Sequence, residues 1–493
     1  MTARRPVPIS ILILALVLAL LAAGVPAPTE AQTRSDAPTG RSEAPAGRSE
    51  APAGQMTWAV HISLAPIWFD PAEHTGIISV MMVLTAVHDA MVKPMPGKPF
   101  APSLAESWTT SKDGLVYEFV VRKGVVFHNG DSLTADDVKF SFDRYRGAAA
   151  RLLKEKVAAV EVVDPYRVRF RLKEPWPDFM TFYGSPASGA GWIVPKKYVE
   201  KVGDEGFKKA PVGAGPYKLA SFNPGIEIVL EAHDRYWRKT PAVKRLVWRT
   251  VTEDLTRLAM LKRGEVDVAY SLRGPLGEEV KKTPGLKLVG LVGNATQWLN
   301  FGAQQWDPKS PWHDKRVRLA AALAFDKDGI NQAETLGFSK PTGSIIPSAY
   351  EYALAIPAYP YDPARAKKLL AEAGYPNGFE TEYMIDVIFL SFQLPRNAAT
   401  RVENYLLRDG LYSFGGYPDM DDLFVQQARE LDPKRREALL HQIQKLAHER
   451  VMAAPLWELG FLNGVGPRVE ESGLGLIALH PYSAPYEDLR LKK

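Results

Sequence analysis

Apolar and polar residues alternate through Leu115, Tyr117, Phe119 and Val121, set between Val116, Glu118, Val120 and Arg122, and this period of two predicts a strand that ends at Lys123-Gly124. A second short strand is expected over 125–127. It runs into Asn129-Gly130, a pair that tolerates positive φ and favours a tight turn. Thr134 with Asp137 three residues later reads as a capping box, and the helix it opens carries Val138, Phe140, Phe142 and Tyr145. Residues 160–163 and 167–172, joined by Asp164-Pro165-Tyr166, read as a hairpin. A helix from 255 closes at Lys262-Arg263 with Gly264 as its cap, ahead of a strand over 266–270. Val317, Ala320, Ala321 and Ala324 recur at helical spacing and predict a packed face. Asp362-Pro363 opens an amphipathic helix that Gly374 stops. Residues 385–392 form an apolar run with β propensity, 397–408 a polar, helix-like stretch and 423–429 a further helix.

The pattern is different at the N-terminus. Arg4 and Arg5 precede an apolar run over 11–23, closed by Gly24, with the length and flanks of a secretory signal and too short for a comfortable membrane span. Residues 1–31 are therefore expected to be a signal peptide, with small residues at Ala27 and Ala31 suited to cleavage. Three heptads follow, RSDAPTG, RSEAPAG and RSEAPAG, which lack large apolar residues and cannot build a core, so 32–55 is expected to be a disordered linker.

The remainder, from Met56 to Lys493, exceeds one ordinary domain and predicts more than one lobe. The net charge of +5 falls to +4 when Arg4, Arg5 and Glu30 leave with the leader, too small a bias to argue for a nucleic-acid partner. The chain has no cysteine, which excludes disulfides, thiolate catalysis, Cys-containing metal sites and a lipid-anchoring cysteine. His448-Glu449 begins like a zinc-protease helix but places Met452 where the second histidine is needed, and His441 lies a heptad before His448 with no other ligand type nearby. Gly473-x-Gly475-x-x-Ala478 resembles a dinucleotide fingerprint only by letters, since too few residues follow it for a βαβ unit. No cofactor and no metal is expected.

Several motifs agree on a resemblance. Leu104, Glu106 and Trp108 in L-A-E-S-W, then Gly124, Phe127, Gly130, Asp137 and Val138, follow the order of the signature region of the extracytoplasmic solute-binding proteins of family 5. These are the peptide, nickel and oligosaccharide receptors of ABC importers. Gly213, Gly215, Pro216 and Tyr217 in P-V-G-A-G-P-Y resemble a second family motif, with Ala214 where Thr is usual, and His233 to Trp237, Asp314 to Asp326 and Asp362 to Pro376 match further segments. The resemblance departs after Tyr383. Relatives there carry a strand, a helix with G-I-x-V and another strand, whereas the short stretch to Tyr412 lacks that motif.

The resemblance implies an α/β, two-lobed periplasmic-binding-protein clamshell with discontinuous lobes and a shortened second lobe. Lobe I is placed at 56–288 with a C-terminal return at 463–493, and lobe II at 289–462. The implied role is non-enzymatic: a periplasmic monomer captures a small-molecule or peptide ligand and delivers it to an ABC permease with a cytoplasmic ATPase. A ligand-sensing partner of a chemoreceptor or sensor kinase, and a secreted hydrolase, are the alternatives. Trp298 and Asn300, at the entry to lobe II, and Tyr412, Phe414, Gly416, Tyr417 and Asp419 are the candidate ligand contacts. In peptide-binding relatives an aspartate aligned with Gly416 accepts the ligand's ammonium, so the glycine argues against that mode of recognition; Asp419 is the neighbouring carboxylate that could replace it.

Overall fold

The computed structural model describes residues 51–493 except 66–68, 74–79, 185–187, 302–303, 305–306, 382–396, 411 and 414. The leader, nearly all of the heptad linker, the apolar run 385–392 and Phe414 thus lie outside the described residues.

The linker ends earlier than its composition predicts. Ala53–Val60 is a strand, pairing in parallel with Val243–Thr250 from Ala53↔Val243 onward, so regular structure begins inside the last heptad. Backbone hydrogen bonds to a neighbouring strand override the poor propensity of Ala53-Gly54. The strand centres the main sheet, whose order is Tyr217–Asn223, Glu227–Ala232, Val243–Thr250, Ala53–Val60, Val268–Leu272, Ala453–Val465 and Lys287–Asn300, with Lys340–Pro341 also paired to Ala453–Val465. Both faces are covered, which explains why Met56 to Val60 is buried throughout rather than alternating. Met56, Trp58 and Val60 enter the larger core with Trp248 and Tyr486, and Ala59 packs on the other face with Leu261 and Leu462.

A second layer of lobe I is built from the signature. Ala105–Thr110, Val116–Val121, Arg167–Leu172 and Val157–Asp164 form a four-stranded antiparallel sheet in that order, covered by the Ala135–Arg144 helix. The capping box of Thr134 and Asp137 is present. The expected strand over 125–127 is instead a single bridge, Val126↔Ser132, because the chain turns back at Gly130, whose φ is +92°.

Lys287–Asn300 and Ala453–Val465 run antiparallel, one leaving the main sheet and the other returning to it, and join the lobes. Between them lie two cores. One gathers Trp298, Tyr350, Val402, Tyr405, Leu440 and Ile443; the other gathers Phe301, Leu323, Tyr359 and Ala366. Asp362 caps the Pro363–Glu372 helix by accepting from the Arg365 N–H at 2.9 Å. Among the described residues no strand lies between Pro341 and Ala453, and the helices Lys315–Leu323 and Pro363–Glu372 border an apolar groove of about 250 Å³ lined by Trp312, Ala320, Leu370 and Phe379. The helix expected over 423–429 starts earlier, at Pro418, since proline is well placed in a first turn and Asp419 and Asp421 favour the positive end of the helix.

Candidate functional site

The signature residues build lobe I. Leu104, Phe127 and Val138 are buried in one core. Trp108 packs on Phe119, and Glu106 lies exposed, 3.8 Å from Arg122. Gly124 and Gly130 take positive φ in turns. Asp137 accepts from the backbone N–H groups of Thr134 and Lys196, each at 2.9 Å, fastening the helix to the next segment.

Gly213 and Gly215 are required by close approach. A Cβ at Gly213 would sit 2.1 Å from the Val87 carbonyl oxygen, and one at Gly215 would sit 2.5 Å from that of Ala86. The turn is pinned by histidines. His128 Nε2 pairs with the Gly215 carbonyl at 3.0 Å, while its Nδ1 accepts from the Gly213 N–H at 3.3 Å. His233 meets the same carbonyl at 3.3 Å, and Tyr217 donates to the Val243 carbonyl at 2.8 Å.

The cleft lies elsewhere. A cavity of about 510 Å³ is walled by Met95, Lys98 and Phe100 from a lobe I hairpin, by Ser348, Tyr350 and Glu351 from lobe II, and by Ile477 and Leu479 from the returning chain. Its volume falls within the range of small-molecule sites, about 300–1,000 Å³. A larger cavity of about 730 Å³ is lined by Tyr198, Lys208, Val212 and Phe222, all from lobe I, and so is not shared between lobes. Lys98 and Glu351 give the shared cavity one cationic and one anionic side chain amid apolar walls. Desolvation raises the Glu351 carboxyl above its ordinary range, with Asp178 adding to the effect against the opposing pull of Arg436 and Asn397.

Behind Tyr350 stands Arg401, with no exposed surface. Its guanidinium lies 5.9, 5.7 and 5.4 Å from the ring centroids of Trp298, Tyr350 and Tyr405. Such cation–π contacts favour a desolvated guanidinium. Trp298 is itself buried, meets Tyr405 edge-on at 5.3 Å, and donates from its indole N–H to Asn300 Oδ1 at 2.6 Å. It therefore supports the wall from within rather than lining the cavity.

The other candidates divide. Tyr412 stacks on Tyr405 at 5.4 Å and extends the same aromatic group. Gly416 holds no room for a side chain, since a Cβ there would lie 2.5 Å from the backbone nitrogen of Arg408. Asp419 does not reach the cavity. It forms a two-pronged exposed ion pair with Arg450 at 2.6 and 2.8 Å, and Arg450 covers Tyr417 at 4.2 Å. Residues 415–417 lead directly into the Pro418–Arg429 surface helix, and the segment that faces the lobe contact is Asn397 with the Ala398–Tyr405 helix. Arg401 could have been found from the sequence: it falls on the stripe of Ala398, Val402 and Tyr405, where an arginine breaks an apolar face.

The model of the bacterial extracellular solute-binding proteins, family 5, matches residues 99–406. The chain belongs to this family. The glutathione-binding protein GsiB of Salmonella paratyphi A is 33% identical over 284 residues, covering 56% of this chain and 54% of GsiB. The chain thus spans about half the length of the curated relatives it matches. HbpA2 from Haemophilus parasuis superposes with a TM-score of 0.72 at 23% identity, over 89% of this chain and 100% of HbpA2. The periplasmic binding protein DppA from Helicobacter pylori, solved with the peptide STSA, gives a TM-score of 0.68 at 24% identity, over 89% and 98% of the two chains. These structural likenesses establish the two-lobed family 5 fold. Among the described residues no helix is long and apolar enough to cross a membrane.

Proposed function

We propose that this protein is the substrate-binding component of an ABC importer, which captures a peptide or similar small solute between its lobes and passes it to a membrane permease driven by a cytoplasmic ATPase. The observation that carries the reading is the cavity shared by the 95–100 hairpin, residues 348–351 and residues 477–479. It lies at the contact of two lobes joined by Lys287–Asn300 and Ala453–Val465, which is where closure excludes water from a solute. Membership of the family and the names of its relatives, which bind glutathione or a peptide, support the solute class.

Within the cleft the reading assigns direct contact to Phe100, Tyr350, Glu351 and Lys98, with Arg401, Trp298, Asn300 and Tyr412 as the wall behind. The lobes are taken as 53–288 with 463–493, and 289–462. Export to the periplasm through the N-terminal leader, and action as a monomer, belong to the same proposal.

Native mass spectrometry of the protein purified from its own cells tests it by revealing a co-purified solute, whose return by calorimetry should raise the melting temperature by mass action. Release of an altered product, at more than one equivalent per protein, would replace the receptor with a hydrolase.

A further inference from the structure

Among the described residues a buried ion pair also joins the lobes outside the cavity. Asp178, at the start of the Phe179–Tyr183 helix of lobe I, is 7% exposed and accepts at 2.5 Å from Nη2 of Arg436, on the Pro433–Glu449 helix of lobe II. Arg436 is 3% exposed. Its Nε donates to Gln427 at 3.0 Å, and its guanidinium lies 5.3 Å from the Tyr352 ring centroid. The second oxygen of Asp178 accepts from the amide of Asn397 at 3.1 Å, and the same amide donates to Glu351 at 3.1 Å. A single lobe I carboxylate is therefore held by two lobe II donors, and Asn397 connects it to a residue of the cavity wall.

We propose that Asp178, Arg436 and Asn397 form a closure latch that holds the lobes together. Asp178 and Arg436 act as positioning residues for solute capture. This rests on the clamshell reading of function.

Two observations favour a latch over an ordinary core contact. The partners come from opposite lobes. Lobe II meets the pair with an acid of its own on the Asn397 amide: the Glu351 carboxyl is raised by desolvation, with Asp178 contributing further and Tyr352, Arg436 and Asn397 opposing. Arg436 thus faces two carboxyl groups, Asp178 in direct contact and Glu351 across the shared Asn397 amide. When the lobes separate, Asp178 and Arg436 each regain water, which offsets much of the lost attraction.

Glu351 gives the latch a connection to the solute. A group bound at Glu351 acts on the amide shared with Asp178, so occupancy of the cavity and closure of the lobes are coupled through Asn397.

The chain lacks cysteine, so Lys112→Cys and Lys434→Cys, exposed positions on opposite lobes, can carry a spin-label pair without background labelling. Pulsed dipolar spectroscopy without solute should show a short-distance population in the parent. Asp178→Asn and Arg436→Met should each shrink it several-fold in favour of a longer distance. The exchanged pair Asp178→Arg with Arg436→Asp should recover part of it, a rescue that a purely structural role would not give. Circular dichroism melts of each variant establish that both lobes remain folded. Distributions that coincide in the parent and both single variants would overturn the latch, as would a lengthening that the exchanged pair fails to reverse. No solute enters the measurement, so its failure is distinct from failure of the transport reading, which the search for a bound solute decides.

Discussion

Lowering the pH from 7 to 5 should weaken the fold through the histidines behind the Pro211 to Tyr217 turn. His88 has no exposed surface, and burial holds it down at about 4, with Arg144 adding to the depression and Asp70, Asp89 and the Phe69 carbonyl opposing it. Its Nε2 pairs with that carbonyl at 2.9 Å, and its Nδ1 faces the position where Gly213 lacks a side chain. His128 is pushed down to about 3, first by burial and then by His233, whose ring stands edge-on at 4.9 Å. Protonating its Nδ1 would set two N–H groups against each other at Gly213. Because these folded values lie below the ordinary 6.5, the folded state binds fewer protons than the unfolded one. The stabilisation is complete above about pH 6.5 and is lost as pH falls toward the folded value. Each pH unit in that window costs about 1.4 kcal/mol per histidine, so His88 alone should remove about 2 kcal/mol by pH 5. His128 retains some exposed surface and should contribute less. Urea unfolding between pH 7.5 and 4.5 measures the effect, and His88→Gln should reduce the slope below pH 6 by about one proton whatever it does to the absolute stability. A parent curve flat from pH 7 to 5, or an identical slope in the variant, would refute the argument.

Gly213→Ala would place a methyl 2.1 Å from the Val87 oxygen, where backbone must move, and should cost about 3 kcal/mol or more, read as a lowered denaturant midpoint or loss of soluble protein. Trp298→Ala empties a buried site against Tyr405 and should destabilise lobe II by about 3–5 kcal/mol, whereas a merely cleft-lining tryptophan would leave the unfolding midpoint nearly unchanged. Asp419→Ala removes an exposed ion pair worth about 1 kcal/mol or less and should leave solute affinity by calorimetry unaltered; loss of binding would return Asp419 to the site.

The most legible parts of the sequence were those whose local chemistry determines local shape. Thr134 with Asp137, Gly130 and Asp362-Pro363 each specify a cap or turn within a few residues, and each appears where its pattern places it. Pairing partners are less local. Residues 125–127 have strand composition but meet only one bridge partner, and Ala53-Gly54 has linker composition but is captured by Val243 far along the chain. The same limitation affected the site. Asp419 carries the charge expected of a ligand contact, yet Arg450, more than a helix away in sequence, takes both its oxygens.

The distribution of motif and cavity has a physical reason. A family signature survives as a pattern when each residue satisfies a demand of its own neighbourhood: Gly213 because Val87 crowds it, Asp137 because two backbone N–H groups need an acceptor. The cavity wall makes no such demand. Lys98, Tyr350, Glu351 and Leu479 come from three distant segments with no shared spacing, so no local pattern marks them as one wall. Arg401 is the exception, because a guanidinium without exposed surface needs its three aromatic neighbours, and that need leaves a trace as a charge on an apolar helical stripe. Residues that interrupt an otherwise regular buried pattern are therefore a better guide to this cleft than the motifs that identify the family.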